Sequence, residues 1–150
     1  MKKIMFVCHG NICRSPMAEF VLKDMVAKQH LGDRISVYSS ATSTEEIGND
    51  THHGTRRILD KYGIPYTRRS ATQLTRQDYS KYDMFIGMDS YNIRNMLRIF
   101  GADPGGKVIK LLDLTDRGGD VADPWYTGNF EETYRDVNDG CNALLAKLNR

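Results

Sequence analysis

Apolar residues fall along the chain in two spacings. Four short runs read as strands buried on both faces: Ile4 to Val7, then Ile35 with Val37 and Tyr38, Met84 to Met88, and Val108 to Leu112. Between them the spacing changes to three and four. Ala18, Val21, Leu22, Met25 and Val26 predict an amphipathic helix from Pro16 to about His30, with Ser15 before it as cap. Asp50 or Thr51 caps a second helix that carries Ile58, Leu59 and Tyr62 inward and stops at Gly63. Thr75 to Asp78 resembles a capping box that opens a short helix. Asp89 caps a further helix with Ile93, Leu97 and Phe100 inward and Gly101 as stop. The last helix is capped by Asn129, and Phe130, Tyr134, Val137, Cys141, Leu144, Leu145 and Leu148 form its apolar stripe. Strands alternating with helices predict right-handed parallel crossovers. The expected fold is therefore α/β, one doubly wound domain over residues 1–150. Its four-stranded parallel sheet has helices on both faces and a phosphate loop after the first strand.

That loop is where the chemistry concentrates. The first strand ends at Cys8, and Arg14-Ser15-Pro16 opens the helix, so Cys8 to Arg14 joins a strand's carboxyl end to a helix's amino end. Inward-facing amides and the helix dipole make such a junction an anion site. Gly10 is expected to permit the tight curl and Asn11 to accept left-handed dihedrals. Arg14 adds a fork matched to phosphate oxygens. Cys8 at the bottom of the cradle is favoured as a thiolate nucleophile, and Ser15 is placed to donate a hydrogen bond to its sulfur. A Walker-type loop would carry a Lys that is missing here and would need no thiol. Covalent phosphoryl transfer to sulfur fits better than nucleotide binding.

Composition narrows the remaining classes. The 150 residues suffice for a core, and a net charge of +2 gives no nucleic-acid signal. No apolar run reaches the roughly 20 residues of a membrane span, and the run after Lys2 and Lys3 is too short for a signal peptide. The default location is cytoplasmic, with secretion lacking a signal peptide left open. Three Cys make no complete disulfide framework. Cys8, His9 and Cys13 are too crowded for tetrahedral ligation, so no metal is expected there. A paired-His site at His52 and His53 is disfavoured, and no cofactor is expected. Cys141 reads as a buried core thiol.

The run VCHGNICRSPMAEF, with DPWY far downstream, resembles the low-molecular-weight protein tyrosine phosphatases over nearly the whole chain. The resemblance implies a cysteinyl-phosphate mechanism without metal, with Cys8 as nucleophile, Arg14 binding phosphate and Asp123 as general acid. It implies that His9, Gly10, Asn11, Ile12, Cys13, Arg14 and Ser15 bind the phosphate, that Ser15, Ser39 and Asp89 support the loops, and that phosphate or vanadate inhibits. Partners would be phosphotyrosine-containing proteins or peptides. Trp125 and Tyr126 are expected as cleft walls; the Asp113 to Gly128 loop that carries them is long enough to be functional. Cys13 beside Cys8 suggests a redox switch in which an oxidised Cys8 is captured as a disulfide.

Three positions depart from the family. Glu45 stands where an aromatic wall is common; it either forms an acidic wall of the cleft or is a solvated loop residue. Arg68 or Arg69 replaces a His that supports Asn11, and Trp125 replaces a Tyr. A protein arginine phosphatase is an alternative, although such enzymes typically carry Thr at the place of Ile12. A binding module without turnover is a weaker one, since it needs neither Cys8 nor Asp123.

Overall fold

A computed structural model describes residues 1–149. Lys2–Cys8 forms β1, Ile35–Ala41 β2, Met84–Gly87 β3 and Val108–Lys110 β4. They lie parallel in the order β2-β1-β3-β4, with Ile4 beside Val37 on one side and Met84 on the other. The chain starts in the middle of the sheet and winds outward in both directions. That reversal of direction puts the β1 carboxyl end at the edge where ligand sites form in open α/β sheets.

The period of two along β1 divides the core. Ile4, Phe6 and Cys8 face helices α1 (Arg14–Lys28), α2 (His53–Lys61) and α5 (Phe130–Leu148), while Met5 and Val7 face α3 (Ser90–Phe100). Phe6 is wholly buried in the larger cluster with Met17, Leu59 and Leu144. Phe85, Met96 and Phe100 fill the smaller one. Helices thus lie on both faces, as the alternating pattern required.

Several element ends differ from the sequence reading. Helix α1 starts at Arg14 rather than Pro16, because the Ser15 hydroxyl is engaged with Cys8 and Asn11 instead of capping. The cap of α2 is His52, whose Nδ1 accepts from Gly54 N–H at 3.0 Å. Asp50 turns to the amides of Thr51 and Arg69 instead. Tyr62 and Leu97 point outward; Tyr62 stacks on Tyr134, and Asn92, Met96 and Phe100 form the buried stripe of α3. The fourth strand ends at Lys110 and passes into a 3-10 turn, Leu111–Leu114. The capping box at Thr75 and the Asn129 cap stand as read.

Gly140 shows how tightly α5 is seated. A Cβ there would come within 2.3 Å of Leu111 Cγ, and Leu111 is fully buried. Gly140→Ala should therefore lower stability by about 1–3 kcal/mol through overpacking, partly offset by up to ~1 kcal/mol of helix propensity. A urea titration followed by circular dichroism reads this. An unchanged midpoint would mean that Leu111 yields without cost.

Candidate active site

The loop after β1 curls beneath its own thiol. Asn11 carries the unusual backbone angle, φ +59°, while Gly10 keeps an ordinary φ. The curl therefore depends on Asn11, which accepts the left-handed angle as expected, while the expectation for Gly10 is corrected. Asn tolerates this region because its short polar side chain bonds locally. Here every group of Asn11 is used. Its N–H points to Cys8 Sγ at 3.2 Å and its Nδ2 donates to Ser15 Oγ at 2.8 Å. Its carbonyl accepts from Arg69 Nη1 at 2.9 Å, and its Oδ1 accepts from Arg69 Nη2 and the Thr72 amide. Of the two candidate arginines, Arg69 makes the support.

Ser15 Oγ lies 2.9 Å from Cys8 Sγ. That oxygen also accepts from Asn11 Nδ2, and toward a Cys8 thiolate its one proton would be the donor. The Asn11 N–H and the Ser15 hydroxyl thus both meet Cys8 Sγ from within the loop. The loop is held from outside by α2: His52 N–H donates to the Ile12 carbonyl at 2.8 Å, and Thr55 Oγ1 to the Cys13 carbonyl at 3.2 Å.

Arg14 opens α1 and is only 3% exposed. Its Nη1 donates to Asp89 Oδ2 at 2.8 Å and to the Val121 carbonyl at 3.1 Å. Its Nη2 lies 3.3 Å from Asp123 Oδ2. Burial alone would disfavour the charge, but Cys8, Asp123 and Asp89 outweigh it and raise the Arg14 pKa. Asp89 both caps α3, accepting from Asn92 N–H at 2.8 Å, and anchors Arg14. Its link to the Asp123 loop runs through that guanidinium and through the neighbouring Val121 N–H···O=C Met88 bond.

Asp123 caps a single helical turn, α4 (Pro124–Thr127), through Trp125 N–H at 3.0 Å. Its other oxygen makes the 3.3 Å contact with Arg14, and both residues line a cavity of about 680 Å³. Cys8, His9, Gly10, Asn11, Ile12, Cys13 and Arg14 line it, together with Glu45, Trp125 and Tyr126. Both rings are largely exposed, at 68% and 85%. Glu45 lies on the cavity wall, 3.0 Å from His9 Nε2. The pair is exposed, so its worth is at most ~1 kcal/mol. Tyr91, Glu46, Asn92 and Asn95 also line the cavity and were not singled out from the sequence. The signal for Tyr91 was its place two residues after Asp89, at the same edge of the sheet.

Ser39 is not where it was expected. Its hydroxyl donates to Glu19 of α1 at 2.5 Å, and it makes no bond to the loop after β1. Cys13 occupies the N-cap position of α1, where its buried thiol makes no capping hydrogen bond. Burial first, then the negative charges of Cys8 and Asp123, push its pKa up to about 12, with Arg14 opposing. Cys141 is a fully buried thiol, raised by burial, as its place in the stripe suggested. His52 and His53 stack on each other, and His52 stacks on Phe130.

A family model described as low molecular weight phosphotyrosine protein phosphatase matches residues 3–150. A Bacillus subtilis protein, the low molecular weight protein-tyrosine-phosphatase YfkJ, is 40% identical over all of this chain and 97% of its own. The crystal structure of YfkJ superposes with a TM-score of 0.96 over 99% of this chain and 95% of that one. A low molecular weight protein tyrosine phosphatase structure from Streptococcus pyogenes is 44% identical, with a TM-score of 0.88, over 99% of this chain and 93% of that one. The structure of a Drosophila arginine phosphatase is 25% identical, with a TM-score of 0.88, over 100% of this chain and 99% of that one. Among the described residues no helix is long and apolar enough to cross a membrane.

Proposed function

The chain belongs to the low molecular weight phosphotyrosine protein phosphatase family, and from that premise we propose that it hydrolyses phosphotyrosine in proteins and peptides through a cysteinyl phosphate, without a metal. The observation that carries this is one convergence. Asn11 N–H and the Ser15 hydroxyl both lie within hydrogen-bond reach of Cys8 Sγ, and Arg14 and Asp123, 3.3 Å apart, line the same cavity. A module that only bound phosphate would need Arg14, but not donors on a sulfur nor a carboxyl beyond it.

In the first step the Cys8 thiolate attacks phosphorus in line with the leaving group. The S–P bond forms, the P–O bond to the ring breaks, and its electron pair goes to the phenolic oxygen. Asp123 gives that oxygen its proton. Arg14 and the loop amides hold the equatorial oxygens as charge is redistributed. In the second step Asp123 takes a proton from water as its oxygen attacks phosphorus. The S–P bond breaks, the thiolate is restored and phosphate leaves. The first step needs Cys8 ionised and Asp123 protonated, so the rate should pass through a maximum with pH and fall on both sides. Inorganic phosphate and vanadate, as tetrahedral or five-coordinate oxyanions, should compete for the same cradle.

Phosphoarginine is the rival substrate. The acidic Glu45 in the cavity lining would suit a guanidinium, whereas the apolar Ile12 in the same lining suits a phenyl ring. Phosphotyrosine and phosphoarginine peptides are to be compared in the presence of a chelator, with acid-quenched samples searched by mass spectrometry for phosphate on Cys8. Phosphotyrosine should be hydrolysed faster and phosphocysteine should be trapped. Faster hydrolysis of phosphoarginine would reassign the substrate. Absence of phosphocysteine, or loss of activity in chelator, would remove the mechanism.

A further inference from the structure

The backbone that presents Asp123 is gripped from a helix that contributes nothing else to the cavity. Val121 N–H donates to the Met88 carbonyl at 2.8 Å, and the Val121 carbonyl accepts from Arg14 at 3.1 Å. The next two bonds come from α5. Ala122 N–H donates to Asp136 Oδ2 at 3.0 Å, and Thr133 Oγ1 donates to the Ala122 carbonyl at 2.7 Å. Thr133 is fully buried and Asp136 is 8% exposed. They stand three positions apart, hence on one face of the helix. Asp136 is held in turn by Arg117 Nη2 on its other oxygen, at 2.6 Å. After Asp123, Pro124 restricts the backbone again.

These contacts are more than hydrogen-bond satisfaction of a surface loop. The peptide between Val121 and Ala122 joins Arg14 at its carbonyl to Asp136 at its N–H. The peptide between Ala122 and Asp123 is held by Thr133. Rotation of either plane would swing the Asp123 carboxyl away from its place 3.3 Å from Arg14. We infer that Thr133 and Asp136 are positioning residues for proton donation, a clamp from α5 that sets where the Asp123 carboxyl meets the leaving oxygen.

The inference rests on Asp123 being the general acid, and its test separates the two. A phenol that is a weak acid needs a proton to leave, whereas a strongly acidic phenol leaves without one. The value of kcat/KM covers the chemistry through transfer to Cys8, so it reports this step without the later hydrolysis. Wild type, Thr133→Val, Thr133→Ser, Asp136→Ala, Arg117→Ala and Asp123→Ala are compared on phosphotyrosine and on 2,4-dinitrophenyl phosphate. Misplacing a reacting group by about 1 Å can cost roughly 10²-fold. Thr133→Val and Asp136→Ala should therefore lose about 10- to 100-fold on phosphotyrosine and much less on the dinitrophenyl ester, and Thr133→Ser should be restored.

A merely structural role would lower both substrates alike by reducing the active fraction, and that result would overturn the clamp. So would no loss on either substrate. Arg117 is exposed, so Arg117→Ala reads the same clamp, with a smaller ratio of the same sign, should a buried variant not fold. If Asp123→Ala gives no difference between the substrates, the acid assignment falls and the clamp with it. If Asp123→Ala gives the difference and the clamp variants do not, only the clamp is lost.

Discussion

Cys8→Ser should lower turnover of an aryl phosphate by on the order of 10⁴-fold or more, the scale of loss for a covalent nucleophile. Ser replaces sulfur by a smaller oxygen whose proton is far harder to remove. The Asn11 N–H and the Ser15 hydroxyl beside Cys8 then meet a hydroxyl that cannot become a comparable anion. Binding should suffer far less, because Asn11 keeps its bonds to Arg69 and Thr72 and Arg14 keeps Asp89. The loop thus holds its shape without the sulfur. The measurement pairs the rate on p-nitrophenyl phosphate with calorimetric titration of inorganic phosphate. Dead enzyme with phosphate still bound fits a nucleophile in an intact cradle. Turnover within tenfold of wild type would remove Cys8 from the chemistry. Loss of both activity and phosphate binding would mean that the sulfur is a structural member of the loop.

The sheet was legible because its strands are short apolar runs between turn residues, and burial on both faces leaves no other use for Ile4 to Val7. The Cys8 loop was legible because its residue types serve one purpose together. What escaped were choices among near-equal local partners. Ser15 could cap α1 or serve Cys8, and only the folded curl at Asn11 puts the sulfur within reach. Asn11 takes the left-handed angle that its residue type allows, but its anchoring by Arg69 and Thr72 was not legible. Asp50 or Thr51 was expected to cap α2, but the cap is His52, and the Arg69 segment folds back over Asp50 and takes its oxygen. Ser39 was drawn away by Glu19, a buried carboxylate that α1 brings to the sheet. Thr133 and Asp136 lie within the stripe of α5 and looked like ordinary polar helix residues. Their partner Ala122 is 11 residues away for one and 14 for the other, and no spacing rule links them. Tertiary contacts decided each of these, and periodicity carries no information about such contacts.

Arg14→Lys should cost about 10²- to 10³-fold in kcat/KM, with both kcat and KM affected. The two residues carry the same charge, so Coulomb attraction alone would predict a small effect. Geometry decides otherwise. One guanidinium nitrogen is committed to Asp89 and the Val121 carbonyl, and the other lies at the cavity, 3.3 Å from Asp123. The fork can therefore keep its structural bonds and still offer N–H groups to two phosphate oxygens. A Lys ammonium is a single point. If it stays with Asp89 it lies short of the phosphate. If it reaches the phosphate, Asp89 and the Val121 carbonyl each lose a partner, at about 1–3 kcal/mol for each buried group left unpaired. The loss in rate matches removal of a donor that holds transition-state charge, roughly 10²- to 10³-fold. Because Val121 leads into the Asp123 loop, the variant should also lose more on phosphotyrosine than on an ester with a strongly acidic phenol. Steady-state kinetics on both esters, with a thermal melt to confirm folding, read these effects. A Lys variant within tenfold of wild type on both esters would show that charge alone suffices, and the fork would have no special part in catalysis.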